Sequence, residues 1–83
     1  MTQQEHDLIV GRFFEALYWL KETRQIRGVK TFTDLYGINR RSLRRLQQNP
    51  STNDFKAAWL TFLVRDFNIN AQWLLTGEGQ MYG

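Results

Sequence analysis

The chain of 83 residues contains no cysteine, which excludes disulfide bonds, thiolate zinc sites and a cysteine nucleophile. The single histidine, His6, is predicted to be an exposed N-terminal side chain and not part of a metal site. No apolar run approaches the roughly 18 residues that cross a bilayer, and the polar, acidic start MTQQEHD is unlike a signal peptide. We therefore expect a cytoplasmic protein with no membrane partner, no metal and no other cofactor.

Residues that interrupt helices are also scarce. Pro50 is the only proline, and the six glycines fall mostly between periodic segments. No stretch shows the alternation of apolar and polar residues that is typical of a β-strand. Because 42% of the residues are hydrophobic, the chain has enough apolar side chains to form a core. The sequence predicts an all-α fold of five helices in one domain that spans residues 1–83.

The first helix is predicted to span residues 3–24. Thr2 and Glu5 have the spacing of a capping box, which satisfies free amides at a helix start. One broad arc of the helix is apolar and is predicted to enter the core; it consists of Ile9, Val10, Phe13, Phe14, Ala16, Leu17 and Leu20. Trp19 lies about 60° outside this arc, so it either contacts a partner, such as a second copy in a dimer, or lies over the surface of its own helix.

The last two helices also have recognisable starts. Ser51 and Asp54 are predicted to cap a fourth helix directly after Pro50. Its apolar residues recur at helical spacing and are predicted to pack against the first helix; they are Phe55, Trp59, Phe62, Leu63 and Phe67. Asn70 is predicted to cap a short fifth helix, AQWLLT, which Gly77 ends by adopting the left-handed conformation.

Residues 28–49 carry a different pattern, in which two short apolar segments meet at Gly37. Upstream, Phe32, Leu35 and Tyr36 have the spacing of one helical face, and the helix start is left open between Gly28 and Thr31. Downstream, the N-cap residue Asn39 precedes a predicted helix RRSLRRLQQ, and the apolar positions are Ile38, Leu43 and Leu46. A glycine between two such helices is typical of a helix-turn-helix.

Positive charge is concentrated in this part of the chain. The whole chain has a net charge of +3, but the segment from Lys21 to Leu46 holds eight basic and two acidic residues, and the remainder has a net charge of −3. Four of the basic residues lie within six positions of the third helix: Arg40, Arg41, Arg44 and Arg45. Arginines near a helix N-terminus favour anions, and a guanidinium can bond guanine O6 and N7 together. This distribution indicates a nucleic-acid partner.

The spacing of Phe32, Gly37, Ile38, Leu43 and Leu46 resembles the helix-turn-helix of the lambda repressor-like (Cro/Xre, phage repressor type) DNA-binding domains. The tail NAQWLLTGEGQM is similar to the ending of those domains, so the resemblance extends from the first helix to about Met81. It implies a compact five-helix domain with its helix-turn-helix at about 28–48. It also implies sequence-specific binding of double-stranded DNA, usually as a homodimer on a palindromic operator, and transcriptional repression in a bacterium or its phage.

The sequence departs from this family at Thr33, where the family usually has alanine, a small residue that lets the two helices approach. Threonine is small enough to fit the same position. The family's usual threonine or serine at the start of helix two is also displaced, so that either Gly28 or Thr31 caps that helix. The chain stops just after the fifth helix, where a longer repressor of this type would attach a second domain, and the sequence leaves open whether it is a whole protein or the first domain of such a repressor.

The resemblance assigns the third helix, at about 39–48, as the recognition helix. Residues at its N-terminal end enter the major groove, so the predicted base contacts are Asn39, Arg40, Arg41 and Arg44. Asn39 is assigned as N-cap, DNA contact or both. Contacts to the DNA backbone fix register without reading sequence, and they are predicted for Arg27, Lys30, Arg45, Gln48 and Asn49.

Other classes of function have weaker support. The sequence has no nucleophile–base pair, phosphate-cradling loop or clustered carboxylate pair, so we expect no enzyme, no catalytic residue and no small-molecule substrate. Most of the aromatic residues lie on the apolar arcs and are better explained by packing than by base stacking. The alternative is a helix-turn-helix used as a protein-interaction or antitoxin-like module, with the arginines binding an acidic protein. RNA binding is a weaker third interpretation.

Overall fold

The computed structural model describes residues 2–52 and 54–82. Within these residues five helices follow one another, with no β-strand between them: α1 (Gln3–Glu22), α2 (Val29–Tyr36), α3 (Arg40–Gln48), α4 (Ala58–Phe67) and α5 (Ala71–Thr76). A single antiparallel bridge pairs Ile69 with Tyr82 and brings the C-terminal segment back beside the start of α5. The predicted all-α class is confirmed.

Helix α1 begins as predicted, because the Thr2 hydroxyl accepts a hydrogen bond of 3.1 Å from the Glu5 amide. All residues of its predicted apolar arc are buried except Phe14, which is half-buried. The helix ends at Glu22, two residues earlier than predicted. Arg24 has a left-handed φ of 63°, and the next amide, that of Gln25, turns back to the carbonyl of Leu20 at 2.9 Å.

The core surrounds the ring of Phe13. This ring lies within 6.0 Å of the rings of Phe32 from α2, Trp59 from α4, and Phe55 from the segment before α4. All five helices and two connecting segments contribute to one buried cluster, whose members are Val10, Phe13, Ala16, Leu17, Leu20, Ile26, Phe32, Leu43, Leu46, Trp59, Leu63, Ile69 and Leu74. The predicted packing of the fourth helix on the first is present at the contact between Trp59 and Phe13.

The predicted start of the fourth helix is wrong. Helix α4 begins at Ala58, and its N-cap, Ala57, has no capping side chain. Asp54 does not cap a helix because its carboxylate pairs with Arg45. The amide of Ser51 donates instead to the side-chain oxygen of Asn49 at 3.2 Å. Neither Ser51 nor Asp54 therefore caps α4.

The predicted apolar face of α2 is only partly correct. Phe32 is buried and Tyr36 is half-buried, but the Leu35 side chain is 61% exposed. Thr33 is buried instead, because the buried arc extends from Phe32 toward Thr33, whereas Leu35 lies about 60° to the other side.

Two aromatic residues have environments that differ from those predicted. Trp19 is half-buried, and its ring stacks on Tyr82 with centroids 4.6 Å apart, a contact that the sequence did not predict; a partner contact by Trp19 stays a prediction. His6 is half-buried and not exposed, since Phe55 lies edge-on against it at 5.7 Å. Among the described helices, none combines the length and the apolar composition required to cross a bilayer.

Candidate functional site

The connection between α2 and α3 is a three-residue turn of residues 37–39. Gly37 has a left-handed φ of 65°, which favours glycine, and it ends α2 as predicted. The amides of Gly37 and Ile38 both donate to the carbonyl of Thr33. The Thr33 hydroxyl donates in turn to the carbonyl of Lys30 at 2.9 Å, so its burial leaves no polar group unsatisfied. The turn is therefore held by hydrogen bonds at the end of α2.

The start of α3 is fixed by Asn39. Its side-chain oxygen accepts hydrogen bonds from the amides of Arg41 and Ser42 at 2.8 and 3.3 Å. The predicted capping role is confirmed, and the helix has the predicted sequence RRSLRRLQQ. A DNA contact by Asn39 stays a prediction, and its oxygen is already engaged at the cap.

Helix α3 has a buried face and a charged face. Leu43 and Leu46 are at most 2% exposed, as predicted for core positions. The opposite surface carries the predicted base-contact arginines, and all three line one cleft of about 230 Å³: Arg40, Arg41 and Arg44. We call these three residues the arginine face. The structure brings together guanidinium groups that are separated by up to four positions in sequence.

Lys30 lies beside the arginine face. With Val29 of α2 it lines a neighbouring cleft of about 230 Å³, whose other side is formed by Arg40, Leu43, Arg44 and Gln47 of α3. The Lys30 ammonium also pairs with Asp34 at 3.1 Å, and both side chains are more than 60% exposed. Solvent weakens such an exposed pair, so Lys30 remains available to an external anion.

The sequence interpretation missed Gln47. It is exposed and lines the cleft with Lys30, and it belongs to the same helical face as Arg40 and Arg44. The signal was present in its spacing, which is three residues from Arg44 and seven from Arg40.

Arg45 differs from the other arginines of α3. Its Nε and Nη2 atoms donate to the two carboxylate oxygens of Asp54 at 2.7 and 2.9 Å. The hydrogen bond from Arg45 holds the pKa of the Asp54 carboxyl below its usual value. A backbone contact by Arg45 stays a prediction, and its guanidinium is already held by the segment that leads to α4.

The remaining predicted contacts lie elsewhere. Gln48 is the exposed last residue of α3, and Asn49 follows it as the C-cap. Arg27 lies in the connection between α1 and α2, where it lines a separate cleft of about 550 Å³ with Lys21, Glu22, Arg24 and Ile26. The structure does not bring Arg27 into either of the clefts formed by α3.

The arginine face has no acidic partner within the described part of the chain. The three ion pairs found there involve Lys30, Arg45 and Arg65, and each pairs with an aspartate. No group of three histidine, aspartate or glutamate side chains in that part is arranged to hold a metal ion. An exposed set of guanidinium groups without a carboxylate can form paired hydrogen bonds to phosphate or to base edges.

Comparisons with family models, curated proteins and solved structures return no match for this chain.

Proposed function

We propose that this protein binds double-stranded DNA in a sequence-specific manner by inserting α3 into the major groove. The observation that carries the proposal is the arginine face, which presents three guanidinium groups without a carboxylate partner in the described residues. These groups lie in the N-terminal half of an exposed helix face, where the helix dipole adds to their attraction for anions.

The dimensions and chemistry of α3 support the major groove over the minor groove. An α-helix with its side chains is about 10–12 Å in diameter, so it fits the major groove of B-DNA, which is about 12 Å wide, and not the minor groove, which is about 6 Å wide. A guanidinium forms two parallel bonds with guanine O6 and N7, the commonest specific contact in that groove. Arg40, Arg41 and Arg44 are therefore the proposed base-reading residues.

Backbone contacts would position this helix. Lys30 borders the arginine face from α2, and Gln48 and Asn49 follow at the end of α3. Contacts of such residues to phosphates set the register of a protein on DNA and do not read sequence. Arg45 would contribute less, because Asp54 already compensates its charge.

The biological role proposed is transcriptional repression by a lambda repressor-like helix-turn-helix domain that acts as a homodimer. The tight turn at Gly37 and the Asn39 cap are consistent with a helix-turn-helix, in which the second helix is presented to DNA. Repression, palindromic operators and dimer formation rest on the resemblance of the sequence to that family.

A salt titration against duplex DNA tests the proposal. Log affinity is expected to fall linearly with log salt concentration, with a slope of about −0.9 for each phosphate neutralised. An Arg41→Ala, Arg44→Ala double variant should bind the duplex more weakly, and excess double-stranded RNA should not compete, because its deep groove excludes a helix. Absence of binding to any duplex at about 50 mM salt would overturn the proposal and favour an acidic protein as the partner.

A further inference from the structure

We propose that the corner between α1 and α2 is a second phosphate-binding surface, formed by Lys21, Arg24 and Arg27, which grips the DNA backbone outside the groove occupied by α3. We call these three residues the basic corner. The inference rests on the proposed function, because its ligand is the backbone of the same duplex.

The side chains of the basic corner converge on one cleft. The cleft has a volume of about 550 Å³ and is lined by the three cationic residues together with Glu22 and Ile26. It shares no residue with the clefts lined by α3. Three cations therefore face one carboxylate, and the local charge is positive. Such a concave positive surface concentrates anions.

The cations of the corner have no acidic partner within 4.0 Å among the described residues, where every ion pair lies elsewhere. The one carboxylate in the cleft, Glu22, also acts on a neighbouring residue of α1. It raises the pKa of the Tyr18 phenol through a hydrogen bond and through its charge. The three cationic groups thus remain available to an external phosphate.

The backbone beneath the corner is anchored. Ile26 is only 3% exposed and inserts into the core, which leaves its neighbour Arg27 on the surface. The amides of Gln25 and Ile26 both donate to the carbonyl of Leu20, at 2.9 and 3.3 Å. The amide of Arg24 donates to the carbonyl of Lys21 at 3.1 Å. A fixed backbone lowers the entropy lost when these side chains order around a ligand.

Arg24 occupies a position where glycine would be preferred. Its φ of 63° is left-handed, and a non-glycine residue in that region is strained. The chain therefore places a long cationic side chain at a site where the backbone favours a residue without one. This strain is consistent with a role for the charge of Arg24, since strained backbone is often found at binding sites.

The corner adjoins the proposed DNA-binding surface through the chain itself. Arg27 is three residues from Lys30, so their Cα atoms are at most about 11 Å apart. Lys30 in turn lines the cleft that includes Arg40 and Arg44. Cations thus continue from α3 across the start of α2 to the end of α1. The extended, repeating phosphates of a duplex fit this arrangement better than a single free phosphate does.

The test compares two variants with equal net charge. The corner variant, Lys21→Gln, Arg24→Asn and Arg27→Gln, removes three positive charges, and asparagine tolerates the left-handed φ at position 24. The control variant, Gln4→Glu, Thr61→Glu and Gln80→Glu, adds three negative charges at exposed positions that line none of the clefts described above. Both are titrated with salt on a duplex selected by the wild-type protein from a random library and on a random duplex.

The corner variant should lose affinity by the same factor on both duplexes, and its salt slope should be shallower than the control's by about 2.7, for three lost phosphate contacts. Its ratio of selected to random affinity should equal that of the wild type. Equal salt slopes in the corner and control variants would show that the basic corner does not bind the DNA backbone, and they would leave the proposed role of α3 unaffected. If the wild-type protein binds neither duplex, the proposed function and the basic corner both fail.

Discussion

Six arginines of this protein form two groups that differ in what their guanidinium groups contact. In the first group each guanidinium has a partner within the chain: the α5 carbonyls for Arg12, Asp54 for Arg45 and Asp66 for Arg65. In the second group, the arginine face on α3, no guanidinium has a carboxylate partner in the described residues. Residue type alone therefore does not identify the binding surface, because half of these arginines contact other groups of the same chain.

The internal group performs structural work that the other group does not. The Arg12 guanidinium donates to the carbonyls of Leu74 and Leu75 at 2.7 and 3.1 Å, where a six-residue helix leaves its last carbonyls without partners. Arg65 bonds both carboxylate oxygens of Asp66, which also accepts a hydrogen bond of 2.5 Å from the Tyr36 phenol. These contacts join α1 to α5 and α4 to α2. Removing an internal arginine should affect stability, whereas removing one from the arginine face should affect binding.

The largest effect is expected on the buried face of α3. Leu43→Asp should unfold the protein, because position 43 is 2% exposed and an aspartate there would bury an unpaired charge. Thermal denaturation followed by circular dichroism measures this. The neighbouring Arg44→Ala is the control and should melt cooperatively near the wild-type temperature. A Leu43→Asp protein with the wild-type melting temperature would show that Leu43 is not in the core.

Arg12→Ala should destabilise the fold by about 1.5–3 kcal/mol, the usual contribution of hydrogen bonds from a charged group. Arg41→Ala should change the stability by less than about 0.5 kcal/mol, as is usual for an exposed side chain, since Arg41 forms no ion pair among the described residues. Urea denaturation of the two variants compares an internal arginine with one of the arginine face. Equal losses of stability in both variants would contradict the claim that Arg12 stabilises the fold and Arg41 does not.

A smaller effect is expected from acid. The hydrogen bonds from Arg65 and then from Tyr36 lower the pKa of the Asp66 carboxyl from 3.8 to about 2. Because the folded state holds this proton more weakly than the unfolded state, Asp66 stabilises the fold above pH 3.8 and loses that contribution as the pH falls to about 2. The melting temperature of Asp66→Asn should therefore be lower than that of the wild type at neutral pH, and the difference should shrink on acidification. A difference in melting temperature between the two proteins that stays constant from neutral pH to about pH 2 would contradict the lowered pKa of Asp66.

The local signals in the sequence predicted much of this fold. The side chains of Thr2, Asn39 and Asn70 accept hydrogen bonds from backbone amides in the first turns of their helices, as expected of N-cap residues. Gly37 and Gly77 adopt the left-handed conformation at the helix ends. Each of these features depends on neighbours within a few residues, so spacing along the chain is sufficient to detect it. The first and last residues of α3 were predicted correctly for the same reason.

Features that depend on distant partners were not predictable. Asp54 has the spacing of a cap, but Arg45 takes its carboxylate, and no local pattern indicates which of these contacts forms. Arg12 contacts carbonyls more than 60 residues away. For the candidate site, the sequence predicted four exposed arginines on α3, but it did not predict that Arg45 is ion-paired or that Lys30 and Gln47 share a cleft with Arg40 and Arg44.

The most direct test of the central claim is the ratio of affinities for the selected duplex and a random duplex, measured for Arg41→Ala, Arg44→Ala and Lys30→Ala. If the arginine face reads bases, each arginine variant should lose about 1–3 kcal/mol on the selected duplex and much of its sequence preference. Lys30→Ala should weaken binding to both duplexes by the same factor. An unchanged ratio in all three variants would contradict the claim that α3 reads DNA sequence.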